Sequence, residues 1–238
     1  VKYSGADVQF ILVDGYNLLG VTTEISDISV ESILEESHTL GDSWQESTAV
    51  GVRKAMLSQD GFYDDAAGSV NAVFADQQAT QRSVCIGITS SAFIGIQGAF
   101  GSKYVRKLDR DKLHKAKINY TISGQVDEGL ILQALATKTA DWDTTASPVD
   151  NGSATTNGGV AYQQVTALSG FTGFVGKVRH SADNVTYADL VTFTNVTSAP
   201  NAQRSTVNTG TTINRYLAYA GDVTGTGSIS VMTGFSRG

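Results

Sequence analysis

The sequence predicts a mainly β protein, and three observations carry that expectation. Charged residues make up only 17% of the 238 residues, while Gly, Thr, Ser and Val are abundant, which suits strands and turns better than long helices. Apolar and polar residues alternate with a period of two, most plainly in "AKINYTISGQV": Ala116, Ile118, Tyr120 and Ile122 share one face, and Lys115, Lys117, Asn119 and Thr121 the other. The last third of the chain breaks into short apolar runs separated by turn residues.

Taken in order, "VQFILVDGYNLLG" reads as an apolar strand, a turn at Asp14-Gly15 and a short apolar continuation. "ESILEESHTLGDSWQES", residues 31–47, reads as a long polar loop carrying four glutamates and one tryptophan. Loops of this length in a β domain are usually functional or interactive. Trp44 is the natural anchor for a partner, the alternative being that it folds back onto its own sheet. "GVRKAMLSQDGF" predicts a strand with Val52, Lys54 and Met56 opposite Arg53, Ala55 and Leu57. In "GSVNAVFADQQA" the period changes: Val70, Val73 and Phe74 recur at helical spacing behind Ser69 as a cap. This predicts a single helix at about 68–79 packed against a sheet.

Between about 138 and 160 the composition turns to Gly, Ser and Thr with Pro148, which reads as a linker or long exposed loop. Beyond it "AYQQVTAL", "GFVGKVRH", "DLVTFTNV", "NRYLAYA" and "SISVMTGF" predict short strands punctuated at Asp183-Asn184 and Gly221-Asp222, a compact β-sandwich of its own. The expected organisation is a first domain at 1–140, a linker at 141–157 and a second domain at 158–238.

The formal net charge is −6, with 12 Lys/Arg against 17 Asp/Glu in residues 1–140 and 5 against 6 in 141–238. An acidic chain of this kind is not built to grip duplex DNA, which asks for a basic face. The one cysteine, Cys85 in "SVCIGI", can form no internal disulfide and reads as a small buried hydrophobe. No stretch approaches the roughly 20 apolar residues of a membrane span, and no basic region followed by an apolar core opens the sequence. Export and membrane insertion are therefore not expected, and the N-x-Thr triplets at Asn119, Asn184 and Asn195 read as chance in a Thr-rich chain.

Gly41-Asp42-Ser43 has the look of an esterase nucleophile block, and Asp111 to His114 supplies an Asp-x-x-His. The context argues against it: Gly41 follows a polar stretch rather than a buried strand, and Asp111 sits mid-domain in the charge cluster "KLDRDKLHKAK". No Gly and Asn blocks supply an oxyanion hole. His38, His114 and His180 are far apart and lack second ligands at metal spacing. His180 alternates with Phe174, Gly176 and Val178 and reads as lining a strand. "DGFYDDAAG" concentrates carboxylates without calcium-loop spacing and reads as a structural turn, with Gly61, Phe62, Asp64 and Asp65 its main residues. "GDVTGTGS" has no P-loop lysine and reads as a turn. No enzyme activity, metal or cofactor is expected.

Three blocks resemble a known family in order and spacing: the early "VDGYNLLG", then "LGDSWQESTAVGVRKAMLSQDGFYDD", then "VRKLDRDKLHKAKINYTISGQVDEGLIL". Together they resemble the major tail tube proteins of long-tailed bacteriophages. The C-terminal run from "VRHSADNVTYADL" to "SVMTGFSR" is similar to a domain often appended to such proteins.

The resemblance implies a tail-tube-type β-sandwich or barrel with one flanking α-helix, followed by an immunoglobulin-like sandwich that decorates the outside or forms a second wall module. It implies a structural virion protein of the tail, assembled in the host bacterial cytoplasm. Hexameric rings would stack into a hollow tube that conducts DNA to the host. It also implies an inter-subunit or inter-ring loop carrying Glu35, Glu36, His38, Asp42, Trp44 and Glu46. The implied partners are further copies of the chain, a tape-measure protein in the lumen, tail terminator and distal tail or baseplate proteins, and DNA passing without sequence-specific binding. The alternative is a capsid or tail decoration protein whose C-terminal domain binds host-surface glycans by stacking on Tyr187, Tyr216 or Tyr219.

Overall fold

The computed structural model describes residues 4–36, 44, 47–66, 68–75 and 81–238. Among them are β1 (Phe10–Val13), β2 (Tyr16–Asn17), β3 (Thr22–Glu36) and β4 (Ser47–Phe62). After α1 (Val70–Ala75) come β5 (Arg82–Gly87), β6 (Ala92–Lys107), β7 (Lys115–Ile122) and β8 (Val126–Lys138). The short strands β9 (Trp142–Asp143) and β10 (Val149–Asp150) precede β11 (Gly159–Ser181), β12 (Ala188–Thr192), β13 (Asn201–Val207) and β14 (Tyr216–Arg237). The expected mainly β class is the one observed.

Contacts divide the chain into two units, residues 21–81 with 98–126, and residues 1–20 with 82–97 and 127–238. The division does not follow the expected boundary at residue 140, because β1, β2, β5 and the start of β6 cluster with the C-terminal strands.

The first unit is an antiparallel four-stranded sheet in the order β3–β4–β7–β6, the last strand contributing residues 98–107. The alternation read in β7 holds: Ala116, Ile118, Tyr120 and Ile122 are buried, and Lys115, Lys117, Asn119 and Thr121 lie on the other face. On β4 the buried face carries Ala55, Leu57, Gln59 and Gly61. The predicted helix is α1, its Val70, Val73 and Phe74 buried; residues 76–79 of the expected span lie outside the described residues. Phe74 meets Tyr120 and Tyr104 edge to face, and the Tyr104 hydroxyl donates to Asn71 Oδ1 at 3.0 Å, so the helix sits on β7 and β6 as its apolar spacing requires. Ser69 caps less directly than expected: its hydroxyl donates back to the Asp64 carbonyl, while its own carbonyl accepts the first helical bond, from Val73.

The second unit is built on a long antiparallel hairpin of β11 and β14, paired from Gly159↔Arg237 to Ser181↔Tyr216. The predicted short strands are therefore fused in pairs: "AYQQVTAL" with "GFVGKVRH" in β11, and "NRYLAYA" with "SISVMTGF" in β14. The glycines that signalled turns mark register shifts instead, between Val165 and Gly173, with Gly170 and Gly225 at positive φ. "GDVTGTGS", expected as a turn, runs inside β14 for the same reason: glycine in a strand favours a bulge as readily as a reversal. The Asp183-Asn184 turn stands where expected, with the Asp183 carboxylate accepting from the backbone N–H groups of Val185 and Thr186 and Asn184 at φ +61.

Either side of the shifts, the hairpin takes different neighbours. β13 pairs the first half of β11 and β8 the second half of β14. Beyond the shifts β12 pairs the end of β11, while β9 and β10 pair the start of β14. Val165, Val231 and Phe235 from one half share a hydrophobic core with Phe174, Val178 and Tyr219 from the other, so the bent hairpin supplies both layers of its own sandwich. A second core encloses Phe10, Leu12, Cys85 and Phe93 against Val160, Tyr162 and Met232. The expected linker at 141–157 is not one: β9 and β10 hydrogen-bond to β14, and Trp142 packs on the sandwich core.

Candidate assembly surface

Residues 31–36, expected within a loop, continue β3, and Ser47 opens β4, so this region is a two-stranded ribbon with a shorter connection. β4 pairs with β7 only from Ala55 to Phe62, whereas its pairing with β3 extends to Glu36↔Ser47. Two strands alone are marginally stable in water. Yet this ribbon exposes Ile33 (43%) and Leu34 (61%), Val30 (52%) stands at its base opposite Ala55, and Trp44 in the connection is 83% exposed rather than folded onto the sheet.

Of the expected loop residues, Glu35 and Glu36 end β3, exposed and paired with Thr48 and Ser47. His38, Asp42 and Glu46 lie outside the described residues, as do Gly41 and Ser43 of the esterase-like block. The apolar residues of the ribbon were missed because they are interleaved with glutamates. The signal that could have found them is the β-branched run Thr22, Thr23, Ile25, Ile28, Val30 and Ile33 leading into that stretch.

At the opposite end of this four-stranded sheet the β6–β7 connection exposes Leu108 (65%) and Leu113 (73%). A small depression of about 120 Å³ there is lined by Lys107, Asp109, Lys112, Leu113 and Lys115. Both ends of the unit are apolar with mixed charge: Glu31, Glu35 and Glu36 stand with Arg53 and Lys54 on the ribbon, and Lys107, Arg110, Lys112 and Lys115 with Asp109 and Asp111 at the other end.

Between the ends, the solvent face of the four-stranded sheet is polar. Cross-strand pairing puts Glu24, Asp27 and Glu31 of β3 on the same face as Lys54 and Asp60 of β4, Lys115 and Lys117 of β7, and Lys103 and Lys107 of β6. Lys117 bonds Asp60 at 2.9 Å, and Ser58 Oγ donates to Asn119 Oδ1 at 2.8 Å. An exposed pair of this kind contributes about 0–1 kcal/mol, so it organises the face more than it stabilises the fold.

Of the expected structural turn, Gly61 and Phe62 are instead the last residues of β4, and Asp64 and Asp65 follow the strand. Gly61 is buried in β4, where a Cβ would come within 2.7 Å of the Val21 carbonyl oxygen. Phe62 N–H donates to that same carbonyl at 2.8 Å. Asp64 accepts from Ala66 N–H at its carboxylate and from Asn71 N–H at its carbonyl, tethering the chain to α1, and Asp65 is exposed.

His114 is exposed and its carbonyl receives Tyr63 N–H, while His180 lies on β11 with Nδ1 accepting from Asn214 N–H. Burial pushes the His180 imidazole below its ordinary value. Cys85 is fully buried and its thiol is pushed up to about 12 by that burial, which suits a packing role. Among the glycan candidates Tyr219 is wholly buried and donates to Gln163 Oε1. The rings of Tyr187 and Tyr216 lie under the guanidinium groups of Arg179 and Arg215. Among the described residues no helix is long and apolar enough to cross a membrane.

No protein-family model and no curated protein matches the sequence. Solved structures give remote likenesses. One is the Dit (gp 19.1) protein of phage SPP1, described as a paradigm of hub adsorption apparatus in phages infecting Gram-positive bacteria. It is 13% identical over 96% of this chain and 99% of that one, with a TM-score of 0.38. Two are chains of gene transfer agent particles. A chain of the native virion is 15% identical over 53% of this chain and 98% of that one, TM-score 0.39. A chain of the empty particle's tail, solved with C6 symmetry, is 16% identical over 52% and 97%, TM-score 0.38. At these identities and scores no functional conclusion follows from the likenesses.

Proposed function

We propose that this chain is a structural subunit of a phage-type tail that self-assembles into hexameric rings stacked as a hollow tube. The single observation that carries the reading is the ribbon of β3 and β4. It presents Ile33 and Leu34 to water on two strands of marginal stability, with Val30 at their base and Trp44 in the connection also exposed. Such a ribbon is stabilised by a neighbouring subunit. Its counterpart, with Leu108 and Leu113 exposed at the opposite end of the same four-stranded sheet, is a different surface. Unlike surfaces at opposite ends generate open-ended stacking rather than a closed pair.

The ring number, the tape-measure, terminator and baseplate partners, and DNA passage through the lumen come from the sequence resemblance, and belong to the proposal on that footing. The exposed residues at 141–238 would lie on the tube's outside or in a second wall module. Negative-stain electron microscopy of the purified chain across a range of concentrations tests the reading, together with a variant whose residues 37–46 are replaced by Asn-Gly. Rings or striated tubes from the wild type, with unstacked rings or monomers from a folded variant, are expected. A variant that still forms full-length tubes removes Trp44 and its connection from the stacking contact.

A further inference from the structure

We propose that Asn157 is a modification site, where the side-chain carboxamide closes onto the Gly158 nitrogen, loses ammonia and hydrolyses to aspartate and isoaspartate. Asn151, in the same dipeptide, is held intact by the fold. The proposal stands apart from the assembly reading and needs only the folded chain.

The sequence contains Asn-Gly in two places, "DNGS" at 151–152 and "TNGG" at 157–158. Asparagine is among the chemically labile side chains. A following glycine sets no Cβ beside the nitrogen that must attack and leaves the widest choice of backbone angles. For the ring to form, the peptide unit joining the two residues must turn its nitrogen toward the asparagine Cγ. What holds that unit therefore decides which asparagine reacts.

At Asn151 the unit is bonded at both ends. The Gly152 N–H donates to Asp150 Oδ1 at 2.8 Å, and the Asn151 carbonyl accepts from Ser153 N–H at 2.9 Å. Asp150 is itself fixed by Arg215, whose Nε and Nη2 donate to its two carboxylate oxygens at 2.7 Å each. The Asn151 carboxamide donates to the Arg215 carbonyl at 3.1 Å. Nucleophile, electrophile and the link between them are all tied.

At Asn157 the same unit is nearly free. Among the described residues the Gly158 N–H makes no hydrogen bond, and the Asn157 carbonyl accepts only from the Thr209 hydroxyl, at a long 3.4 Å. Asn157 is exposed, and among the described residues its carboxamide has no partner. Its neighbours are anchored: the Thr156 carbonyl accepts from Gly210 N–H at 2.7 Å and the Gly158 carbonyl from Gly238 N–H at 2.9 Å. Rotation is thereby confined to the one unit whose turning closes the ring.

In the reaction the Gly158 nitrogen gives up its proton and bonds to Asn157 Cγ, and the Cγ–Nδ2 bond breaks to release ammonia. Water then opens the cyclic imide. Attack at Cγ leaves an aspartate; attack at the main-chain carbonyl leaves an isoaspartate, with the backbone rerouted through Cβ and Cγ. Both products add a negative charge. The second lengthens the main chain by one carbon just before Gly159, where β11 begins its pairing with Val207 and Arg237.

The test ages the full folded chain at mildly alkaline pH and measures the acid form at each asparagine by peptide mass spectrometry, beside a sample in guanidinium chloride. Conversion at Asn157 is expected to be at least about tenfold faster than at Asn151 in the folded protein, because Asn151 must wait for local opening. The two should convert alike in denaturant. Asp150→Ala frees the Gly152 N–H and is expected to speed conversion at Asn151 severalfold while leaving Asn157 unchanged. Equal rates in the folded protein, or an Asn157 that stays intact over a period that converts it in denaturant, overturn the proposal. An Asn151 unmoved by Asp150→Ala overturns the protection assigned to that hydrogen bond.

Discussion

Trp142 lies flat against Phe174, the ring planes 3° apart and the centroids separated by 5.6 Å. The indole N–H donates to Gln133 Oε1 at 3.0 Å, and the ring lies so close over Gly221 that a Cβ there would come within 2.4 Å of it. A Ser-, Thr- and Asn-rich segment is thereby pinned to the sandwich at one aromatic. Trp142→Ala removes the stack and the hydrogen bond together and should lower unfolding stability by about 3 kcal/mol in urea titration. Gly221→Ala should destabilise through the same ring by displacing it. Wild-type stability in both would mean the segment is held elsewhere.

Gly170 sits at φ +78 beside a register shift, and an added Cβ would meet the Thr226 carbonyl oxygen at 2.5 Å. Both conformation and space exclude a side chain. Gly170→Ala should cost about 2 kcal/mol or more, measured by chemical unfolding. Gly210 has φ +93 and open space around it, so Gly210→Ala should cost only the conformational part, about 1 kcal/mol. Equal losses at the two positions would show that crowding at the bulge contributes nothing.

These positions explain which parts of the fold were legible in sequence. β7 was readable because one face is core and the other water, so Ala116, Ile118, Tyr120 and Ile122 alternate cleanly with polar residues. α1 was readable from Val70, Val73 and Phe74 for the corresponding reason at helical period. β11 and β14 were read as separate short strands because a local signal cannot tell a glycine that reverses the chain from one that bulges it. The choice between them is made by twenty-residue pairing across the hairpin. Trp142 was lost in a polar composition, though one large aromatic there was the available clue. The ribbon was lost because Val30, Ile33 and Leu34 are exposed in the isolated chain and lie among acids, a pattern that in a single sequence also describes a loop.

Buried Asp127 receives the Tyr162 hydroxyl, and Arg204 reaches the same carboxylate at 3.4 Å while donating from Nε to the Tyr162 oxygen at 3.2 Å. Burial first, then the Asp127 carboxylate, push the Tyr162 phenol above its ordinary value. Removing the cation should be the costliest change. Arg204→Met leaves a buried carboxylate without its guanidinium and should cost about 3–5 kcal/mol. Tyr162→Phe removes one donor and should cost about 1–3 kcal/mol. Unfolding curves that rank the two variants the other way would place the weight of the network on the phenol.

Alkaline pH should expose the Cys85 thiol's burial as a loss of stability. Its folded value, about 12, lies above the ordinary 9.0, with desolvation the largest cause. Below the ordinary value the thiol is protonated in both states and the stability is fully present. As pH rises from about 9 toward 12, the unfolded chain releases the proton and the folded one holds it, so stability falls by up to about 1.4 kcal/mol per pH unit. Tyr162 and Tyr219, both raised by burial, act in the same direction from about pH 10 upward. Cys85→Ala should lower stability at pH 7 by about 1 kcal/mol through lost packing, yet flatten the decline between pH 9 and 10, where the tyrosines do not yet contribute. Urea midpoints at half-unit pH intervals give both quantities. An unchanged slope in Cys85→Ala would mean that the thiol ionises as freely in the folded protein as in the unfolded chain.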